Sequence, residues 1–557
     1  MTPQGKAFFR PTVYIFIYLL GLPILFLLLA TPTFDTNDDP ASMFTACGFW
    51  TGQPGDTLIF TNLRISSVLC YLYEQWPLPN WYVCYQYAVL FAANAVIAVL
   101  LSRTSGIEKS EKFVGDRAAF LWCVVFFLPV LLRPQYTITA SWASIAGWLL
   151  LAEGLRLPNF RWKLYLSAGV FLFLSELIRY QAFLGIGLLM GPLIFYREFE
   201  KIKLGALRTV FSKRYAVAAL LLLLPILHEQ FERREHPASA SMAYQNAIDA
   251  VVNGPNCIDE SHLLAAGFSA NDLVMLQEWF WIDGSIFASE KIEQLGQGIR
   301  CPRTFGAGPR HFAGSLYLEW PYVALVLMSA AALQMFSPPQ RRRTLWTALY
   351  LTVLFLGLSY WSRLPFRVLF PFMAAAFAWL QFSQTRVLSE RSPTSSLGAG
   401  FRSALLLAAI LALQNIHLWR QNISNQQSRR EFREAATWFQ QNPQTLFVVQ
   451  GGSFNYEGAF SWQNPALAWS AHNLAPTGFL LHTPVFQDIL QYHGMSDLAQ
   501  ALLEKRAIVL INPPVETLRR FYREHYDREI RLLPVESGVK VNGETMPAFR
   551  VSFDELE

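Results

Sequence analysis

Charge is scarce in this sequence. Of 557 residues only 15% are charged, 45 basic against 40 acidic, where ordinary soluble domains carry about 25%. A soluble chain of this length would form several domains, and so few charges cannot cover their surfaces. The net charge of +5 is too small and too dispersed for a nucleic-acid binder. Cysteine is equally sparse: six residues, with no pair at C-x-x-C spacing, which excludes zinc fingers, dithiol redox motifs and a disulfide-dense secreted module. There is no internal repeat, no Walker lysine and no dinucleotide-binding glycine pattern. A short Ser/Pro/Gly run near 389–400 is the one low-complexity stretch. What is abundant is hydrophobicity, 53% of the chain, yet mean hydropathy is only +0.26. The combination describes a polytopic membrane protein with substantial water-exposed parts.

A membrane-crossing helix needs roughly 20 apolar residues, with about 17 tolerated. Apolar runs occupy 11–30, 81–102, 118–133, 136–153, 162–178, 180–196, 215–231, 316–336, 344–360, 365–383 and 402–419. They predict a mostly α protein, a transmembrane helical bundle of about 11 spans. The first run follows Lys6 and Arg10 and ends at Ala30-Thr31-Pro32, a poor cleavage site, so it reads as an uncleaved helix rather than a signal peptide. Cytoplasmic loops are enriched in Lys and Arg. Placing Arg103 to Arg117, Arg156 to Lys163, Arg197 to Arg214, Arg341 to Arg343 and Arg386 to Arg402 inside satisfies that bias, whereas the first outer loop, 31–80, holds Arg64 alone. The N-terminus is then cytoplasmic and the tail after 419 lies outside, in the periplasm or extracellular space.

Three outer segments, about 31–80, 232–315 and 420–557, approach half the chain, more than a simple channel or carrier displays on one side. The expected organisation is a transmembrane domain over 1–419 and a small α/β domain over 420–557. In the latter, Leu446–Gln450 reads as a buried strand entering Gly451-Gly452. Ser496-Asp497 caps a helix over Leu498–Glu504, a second strand covers Ala507–Ile511, and an amphipathic helix lies near 515–526. Gly451-Gly452-Ser453, without a lysine, reads as a turn. Cys47 and Cys70 share the first outer loop, and Cys257 and Cys301 share the second. If that side is oxidising both pairs are disulfide candidates; the alternative is free thiols packed as small hydrophobes.

Directly after the first span stands Phe34-Asp35-Thr36-Asn37-Asp38-Asp39-Pro40. Clustered carboxylates serve as general base, cation ligand or acceptor of substrate hydroxyls. Two adjacent aspartates cannot both ionise without cost, so one is a candidate base. The other reading, favoured on residue type alone, is a helix start, Asp before Pro40. Three hairpins with arms of about 16 residues, spanning about 24 Å, carry outward arginines at their tips: Arg133, Arg179, and Arg363 with Arg367. These run against the positive-inside bias, and guanidinium groups suit bidentate phosphate binding. Local pairing, such as Glu176 with Arg179, or snorkelling explains any one of them equally well. In the second outer loop Trp279, Trp281 and Asp283 combine rings and a carboxylate as a sugar site does. They also suit an amphipathic helix lying on the bilayer, the reading their spacing favours. The nine histidines form no metal-ligand pattern, and the metal question is open.

A carboxylate pair just past the first span, ahead of a dozen or so spans and an outer soluble domain, resembles the GT-C superfamily of integral-membrane glycosyltransferases, which use polyprenyl-phosphate sugars. The stretch Gly48-Phe49-Trp50-Thr51-Gly52 to Asn80-Trp81-Tyr82 is similar to bacterial membrane proteins sharing this loop. The WWDYG motif of oligosaccharyltransferases is missing; Trp279 to Gly284 echoes it in the wrong loop, which argues against en bloc transfer to protein. The resemblance implies a multi-pass hexosyl or pentosyl transferase of the cytoplasmic (inner) membrane, acting in cell-envelope polysaccharide synthesis. A sugar would move from a polyprenyl-phosphate donor to a glycan or lipid acceptor at the outer face. Asp38 and Asp39 would be catalytic, and Arg133, Arg179, Arg363 and Arg367 would hold the phosphate. No particular cofactor is implied, and since in some members a second acid helps hold a metal ion, a divalent cation, Mg or Mn, is a candidate. A lipid-linked sugar flippase or a polysaccharide polymerase is the alternative; the scarcity of mid-span charge and the lack of repeats weigh against the flippase.

Overall fold

The computed structural model describes residues 20–58, 61–103, 116–157, 159–201, 213–235, 247–248, 251–252, 258, 260–298, 349–358, 365–384, 397–469, 472–504 and 506–554. Among them, four helices are long and apolar enough to cross a membrane: Trp81–Ser102, Tyr136–Arg156, Lys213–Glu232 and Phe366–Ser383. Tyr180–Phe195 and Leu349–Leu358 are shorter apolar helices, and Trp162–Ile178 is a helix of 17 residues. The expectation of eleven spans is thus met only in part. The run at 118–133 is broken into a π-turn over Trp122–Phe127 and a short helix over Leu128–Leu132. The run at 316–336 lies outside the described residues.

Tyr136–Arg156 is the hub. Of its best apolar window 94% is buried, against 11% for Lys213–Glu232, so the first is surrounded by protein and the second stands at the edge. Small residues make the hub possible, because apolar helices in lipid associate by close packing rather than by water exclusion. A Cβ on Gly147 would come 2.8 Å from Leu172 Cγ, so the helix Trp162–Ile178 can approach only because that residue is glycine. Some buried polar groups are matched in pairs: Trp122 Nε1 donates to Asn94 Oδ1 at 2.9 Å, and Tyr87 Oη donates to the Leu131 carbonyl at 2.6 Å.

The chain leaves the bundle through one helix of 45 residues, Leu397–Gln441. At 1.5 Å per residue it is roughly 65 Å long, enough to span the bilayer and continue into water. It runs unbroken through position 419, where the sequence suggests a domain boundary. Beyond it, strands β1 (Leu446–Val449), β2 (Leu474–Pro476), β3 (Ile508–Ile511), β4 (Glu529–Val535) and β7 (Ala548–Asp554) form a sheet of order β2-β1-β3-β7-β4. The pairs β1–β2 and β1–β3 are parallel, and β7 joins antiparallel to β3 and β4. β5 (Lys540–Val541) and β6 (Glu544–Thr545) form a separate hairpin. All four β1 and all four β3 residues are buried, as a strand covered on both faces requires. The expected Asp497 cap is present, its carboxylate accepting from Gln500 N at 3.1 Å, and the amphipathic helix Val515–Tyr526 follows.

The outer segments join this unit instead of lying on the bilayer. The first loop is stitched to it by Asn80 N donating to the Trp462 carbonyl and Asn464 N to the Leu78 carbonyl, at 2.9 and 3.0 Å. The second contributes the helix Ala270–Gln277, where Ser269 and Asp272 form a capping box. Asn271 Nδ2 donates to the Thr517 carbonyl, Thr517 Oγ1 to Glu278, and Gln450 Nε2 to the Glu278 carbonyl. The favoured expectation of an interfacial helix through Trp279, Trp281 and Asp283 is therefore corrected: these residues are not helical, and the helix before them bonds to the C-terminal unit. Cys47 and Cys70 are both free, which corrects that disulfide candidate; Cys47 is buried, and its thiol donates to the Phe44 carbonyl one turn back. Cys257 and Cys301 lie outside the described residues.

A 3-10 turn, Tyr456–Ala459, wedges between the long helix and the helix Asp38–Cys47. A Cβ on Gly458 would overlap the backbone of Ser428. Gly458→Ala is therefore expected to destabilise the protein by about 1–3 kcal/mol. Gly357→Ala, where nothing lies within 4 Å, is expected to be neutral. Thermal unfolding of the detergent-purified variants checks both.

Candidate active site

The acidic motif opens the helix Asp38–Cys47, with both aspartates in its first turn, where the helix dipole favours negative charge. Neither acts as the cap: that position is Asn37, whose side chain makes no capping bond. The preceding strand of chain is held from two sides. Thr33 N donates to the Leu132 carbonyl and Asp35 N to the Pro134 carbonyl, at 3.1 and 3.4 Å. Asn425 Nδ2, on the long helix, donates to the carbonyls of Thr31 and Leu132.

The two aspartates part company. Asp39 is fully buried; its Oδ1 accepts from Gln86 Nε2 at 2.6 Å, Tyr82 Oη at 3.0 Å and Tyr136 N at 3.1 Å. Its Oδ2 is buried without a hydrogen-bond partner. Burial drives its pKa well above the ordinary carboxylate value, against the help of those donors, and the neighbouring Asp38 pushes it further. Asp38 stays partly open, 11% exposed, with Oδ2 accepting from Arg367 Nη1 at 3.0 Å. Burial raises its pKa too, but Arg367 and then Arg179 oppose the rise.

The arginines expected at the hairpin tips converge here. Arg133 closes the helix Leu128–Leu132 and lies 3.8 Å from Asp35 Oδ1. Arg179, between the helices Trp162–Ile178 and Tyr180–Lys201, sits over the Tyr136 ring at 5.5 Å and acts electrostatically on Asp38. Arg363 lies outside the described residues. The expected Glu176–Arg179 pairing gives way to a different one: Glu176 faces His228 Nδ1 at 3.1 Å.

Asp38 also lines a cleft of about 310 Å³ between the acidic helix and the C-terminal sheet. Its far wall is the carboxyl edge of two parallel strands: Gly451 and Gly452 after β1, and Thr477 to Leu480 after β2. Open α/β sheets bind ligands at that edge. Trp50 and Tyr456 complete one side and Trp279 the other. Of the second-loop trio only Trp279 reaches the cleft. Trp281 is fully buried. Asp283 is consumed as a turn cap, its Oδ1 accepting from Ser285 N and Oγ and from Ile286 N, with Tyr526 Oη on the other oxygen. A sugar-binding role for Trp281 and Asp283 is therefore corrected. Tyr456 had no distinguishing sequence signal, and Trp50 and the glycine pair, noted as a loop stretch and a turn, gave no sign of sharing a cleft, because their relevance depends on which loops meet.

Nor did Glu457. Half-buried in the 3-10 turn, its carbonyl accepts from Phe34 N at 3.1 Å, and its carboxylate feels Arg133, Asp35 and Asp38. Burial pushes its pKa up to about 7. The carboxylates do not suit a divalent cation: Asp35 and Asp38 already face guanidinium groups. Among the described residues the one group of three ligand atoms within reach of one another, Asp272, Glu524 and His525, belongs to the second-loop contact instead.

An acid whose folded pKa is raised stabilises the fold below its unfolded pKa and loses that contribution as pH rises toward the folded value. Stability is therefore expected to fall between about pH 4.5 and 7, and Glu457→Gln to flatten that decline and melt higher than wild type at pH 8. A pH series of thermal melts on both proteins checks the sign.

No protein-family model matches the chain, and no curated protein matches it. Solved structures similar to it include two of one protein. ArnT from Cupriavidus metallidurans in the apo state is 11% identical with a TM-score of 0.39, covering 96% of this chain and 97% of that one. ArnT from the same organism bound to undecaprenyl phosphate is 11% identical with a TM-score of 0.37, covering 98% of each. At that level of superposition, function rests on the residues of the site.

Proposed function

We propose that the chain is a membrane glycosyltransferase of the GT-C type, moving a sugar from a polyprenyl-phosphate donor to an acceptor hydroxyl at the outer face of the membrane. The observation that carries this reading is the position of Asp38, a partly open carboxylate shared between a cleft and a group of arginines at the ends of apolar helices. Charges at that depth are costly unless they are paired or used.

The chemistry follows from the layout. Arg133, Arg179 and Arg367 bind the donor phosphate and stabilise the negative charge that gathers on it as it leaves. The acceptor oxygen attacks the anomeric carbon as the bond from that carbon to the phosphate oxygen breaks, and the electron pair of that bond goes to the phosphate. The acceptor proton passes to the Asp38 carboxylate. Asp39 is a positioning residue: with three donors on one oxygen it fixes the turn that presents Asp38. The C-terminal sheet supplies the wall opposite the base, which gives the soluble part a role in the site rather than beside it.

Asp38→Asn is expected to lower kcat by about 100-fold or more, the usual contribution of a positioned base, with membrane abundance unchanged. Wild-type kcat/KM should rise with pH through a pKa above the ordinary aspartate value, because the base must be ionised, and Asp38→Asn should lose that limb. Transfer of radiolabelled sugar from polyprenyl-phosphate donors to a cell-envelope extract measures both. Full activity in Asp38→Asn would sink the assignment.

A further inference from the structure

A second cavity lies at the far end of the helical bundle. Tyr136 opens the hub helix beside Asp39, and Glu153 stands near the end of the same helix, about 25 Å away at 1.5 Å per residue. That distance is close to the roughly 30 Å of a bilayer's hydrocarbon core, so Glu153 reaches the level of the opposite leaflet's head groups. The neighbouring helix agrees: Tyr82 and Gln86, near the start of Trp81–Arg103, bind Asp39, whereas Val96, Val99 and Leu100, near its end, line this cavity. Leu150, Leu157 and Leu164 complete an apolar wall around about 160 Å³. That volume is well under the roughly 300–1,000 Å³ of small-molecule sites. It suits part of a molecule whose remainder lies outside.

The charged residues on its wall are Glu153 and Arg161. Glu153 Oε1 accepts from Arg156 Nη2 at 2.8 Å, but its Oε2 is buried with no hydrogen-bond partner. Among the described residues only Asp39 and Glu176 have a carboxylate oxygen in the same state, and neither of them lines this cavity or the cleft at Asp38. Buried acceptors are almost always satisfied, so Glu153 has room for a donor that the chain does not supply. Arg161 is exposed and caps the helix Trp162–Ile178. Other cations gather around it. Arg214 Nη1 donates to the Leu157 carbonyl at 2.7 Å, Lys213 Nζ lies 5.1 Å from the Phe160 ring centroid, and Lys163 Nζ lies 5.8 Å from that of the exposed Trp162. Tryptophan and long cationic side chains at a helix end belong at head-group level.

We propose that this cavity holds one phospholipid whose head group carries a phosphate and a primary amine. The phosphate meets Arg161, the ammonium group donates to Glu153, and the first part of an acyl chain lies along Val96, Val99 and Leu164. An anionic head group matches Arg161 but brings a second negative charge to a carboxylate that still lacks a donor. A choline head group has the phosphate and the positive charge but no N–H to donate. Free phosphoethanolamine lacks the chain that the apolar wall takes. The lipid ties together the distal ends of Trp81–Arg103, Tyr136–Arg156 and Trp162–Ile178, the helices whose other ends hold Asp39 and Arg179. It does not depend on the transferase reading.

The test is native mass spectrometry of the delipidated full-length protein in detergent. The probes are phosphatidylethanolamine, phosphatidylcholine, phosphatidylglycerol and phosphatidic acid with identical chains, and soluble phosphoethanolamine as competitor. The ethanolamine lipid should bind about tenfold tighter than the other three, the scale of one hydrogen bond to a charged group, and the competitor should not displace it. Glu153→Gln should bring the ethanolamine lipid down to the level of the choline lipid. Arg161→Gln should weaken both by about tenfold. Because Glu153 also pairs with Arg156, Val99→Trp provides an independent arm: it fills the cavity without touching Glu153 and should abolish the preference. Arg367→Gln, at the opposite end of the bundle, should bind the ethanolamine lipid as wild type does. Tighter binding of either anionic lipid, equal binding of the choline lipid, or displacement by phosphoethanolamine would overturn the site. So would ethanolamine-lipid binding that Val99→Trp and Arg161→Gln leave unmoved, or that Arg367→Gln removes.

Discussion

The candidate site depends on one buried carboxylate. Asp39 carries three donors on a single oxygen, two from the helix Trp81–Arg103 and one from the first amide of the hub helix Tyr136–Arg156. A carboxylate excluded from water is costly unless it is hydrogen-bonded, and bonds to a charged acceptor are worth about 1.5–3 kcal/mol each. The acidic turn can therefore sit in only one place, at the junction of those two helices. Everything useful about Asp38 follows from being its neighbour. One residue earlier in the same helical turn, it is carried to the rim, where Arg367 meets it at 3.0 Å.

That anchor also explains why soluble and membrane parts are not separable. The long helix Leu397–Gln441 offers Asn422 and Asn425 to the start of the acidic loop, and the 3-10 turn Tyr456–Ala459 lies against the acidic helix. The carboxyl edge of the parallel strands consequently faces Asp38 across a cleft instead of facing bulk water. Charge is sorted across this junction. Guanidinium groups come from the ends of apolar helices, whereas the aromatic walls come from loops and from the C-terminal unit.

Legibility in the sequence followed the range of the interaction that decides each feature. Helices and strands were readable because apolar run length, period and capping residues are local: the Asp497 cap and the strands at Leu446 and Ile508 stand where those signals put them. The arginines at Arg133, Arg179 and Arg367 were readable because, in the topology the charge bias predicts, they break a compositional rule. Trp281 and Asp283 were misjudged for the same reason that they were noticed. Residue type marks capacity, but Asp283 spends its oxygens on its own turn, and that cannot be told from type. The stretch Trp279 to Asp283 looked like an interfacial helix because a pattern of rings and carboxylates does not say whether its partner is lipid or the chain's own C-terminal unit.

By itself the sequence determined that the chain carries apolar helices of membrane-crossing length and which few charges stand at their ends, since hydrophobic run length acts over neighbouring residues. Tertiary structure alone decided that Asp39 is the anchor and Asp38 the exposed partner. It also decided that Trp50, Tyr456, Trp279 and Gly451-Gly452, drawn from three segments up to four hundred residues apart in the chain, share one cleft. The physical reason is that burial and unsatisfied hydrogen bonds are properties of a place, and the place exists only once distant segments have packed together.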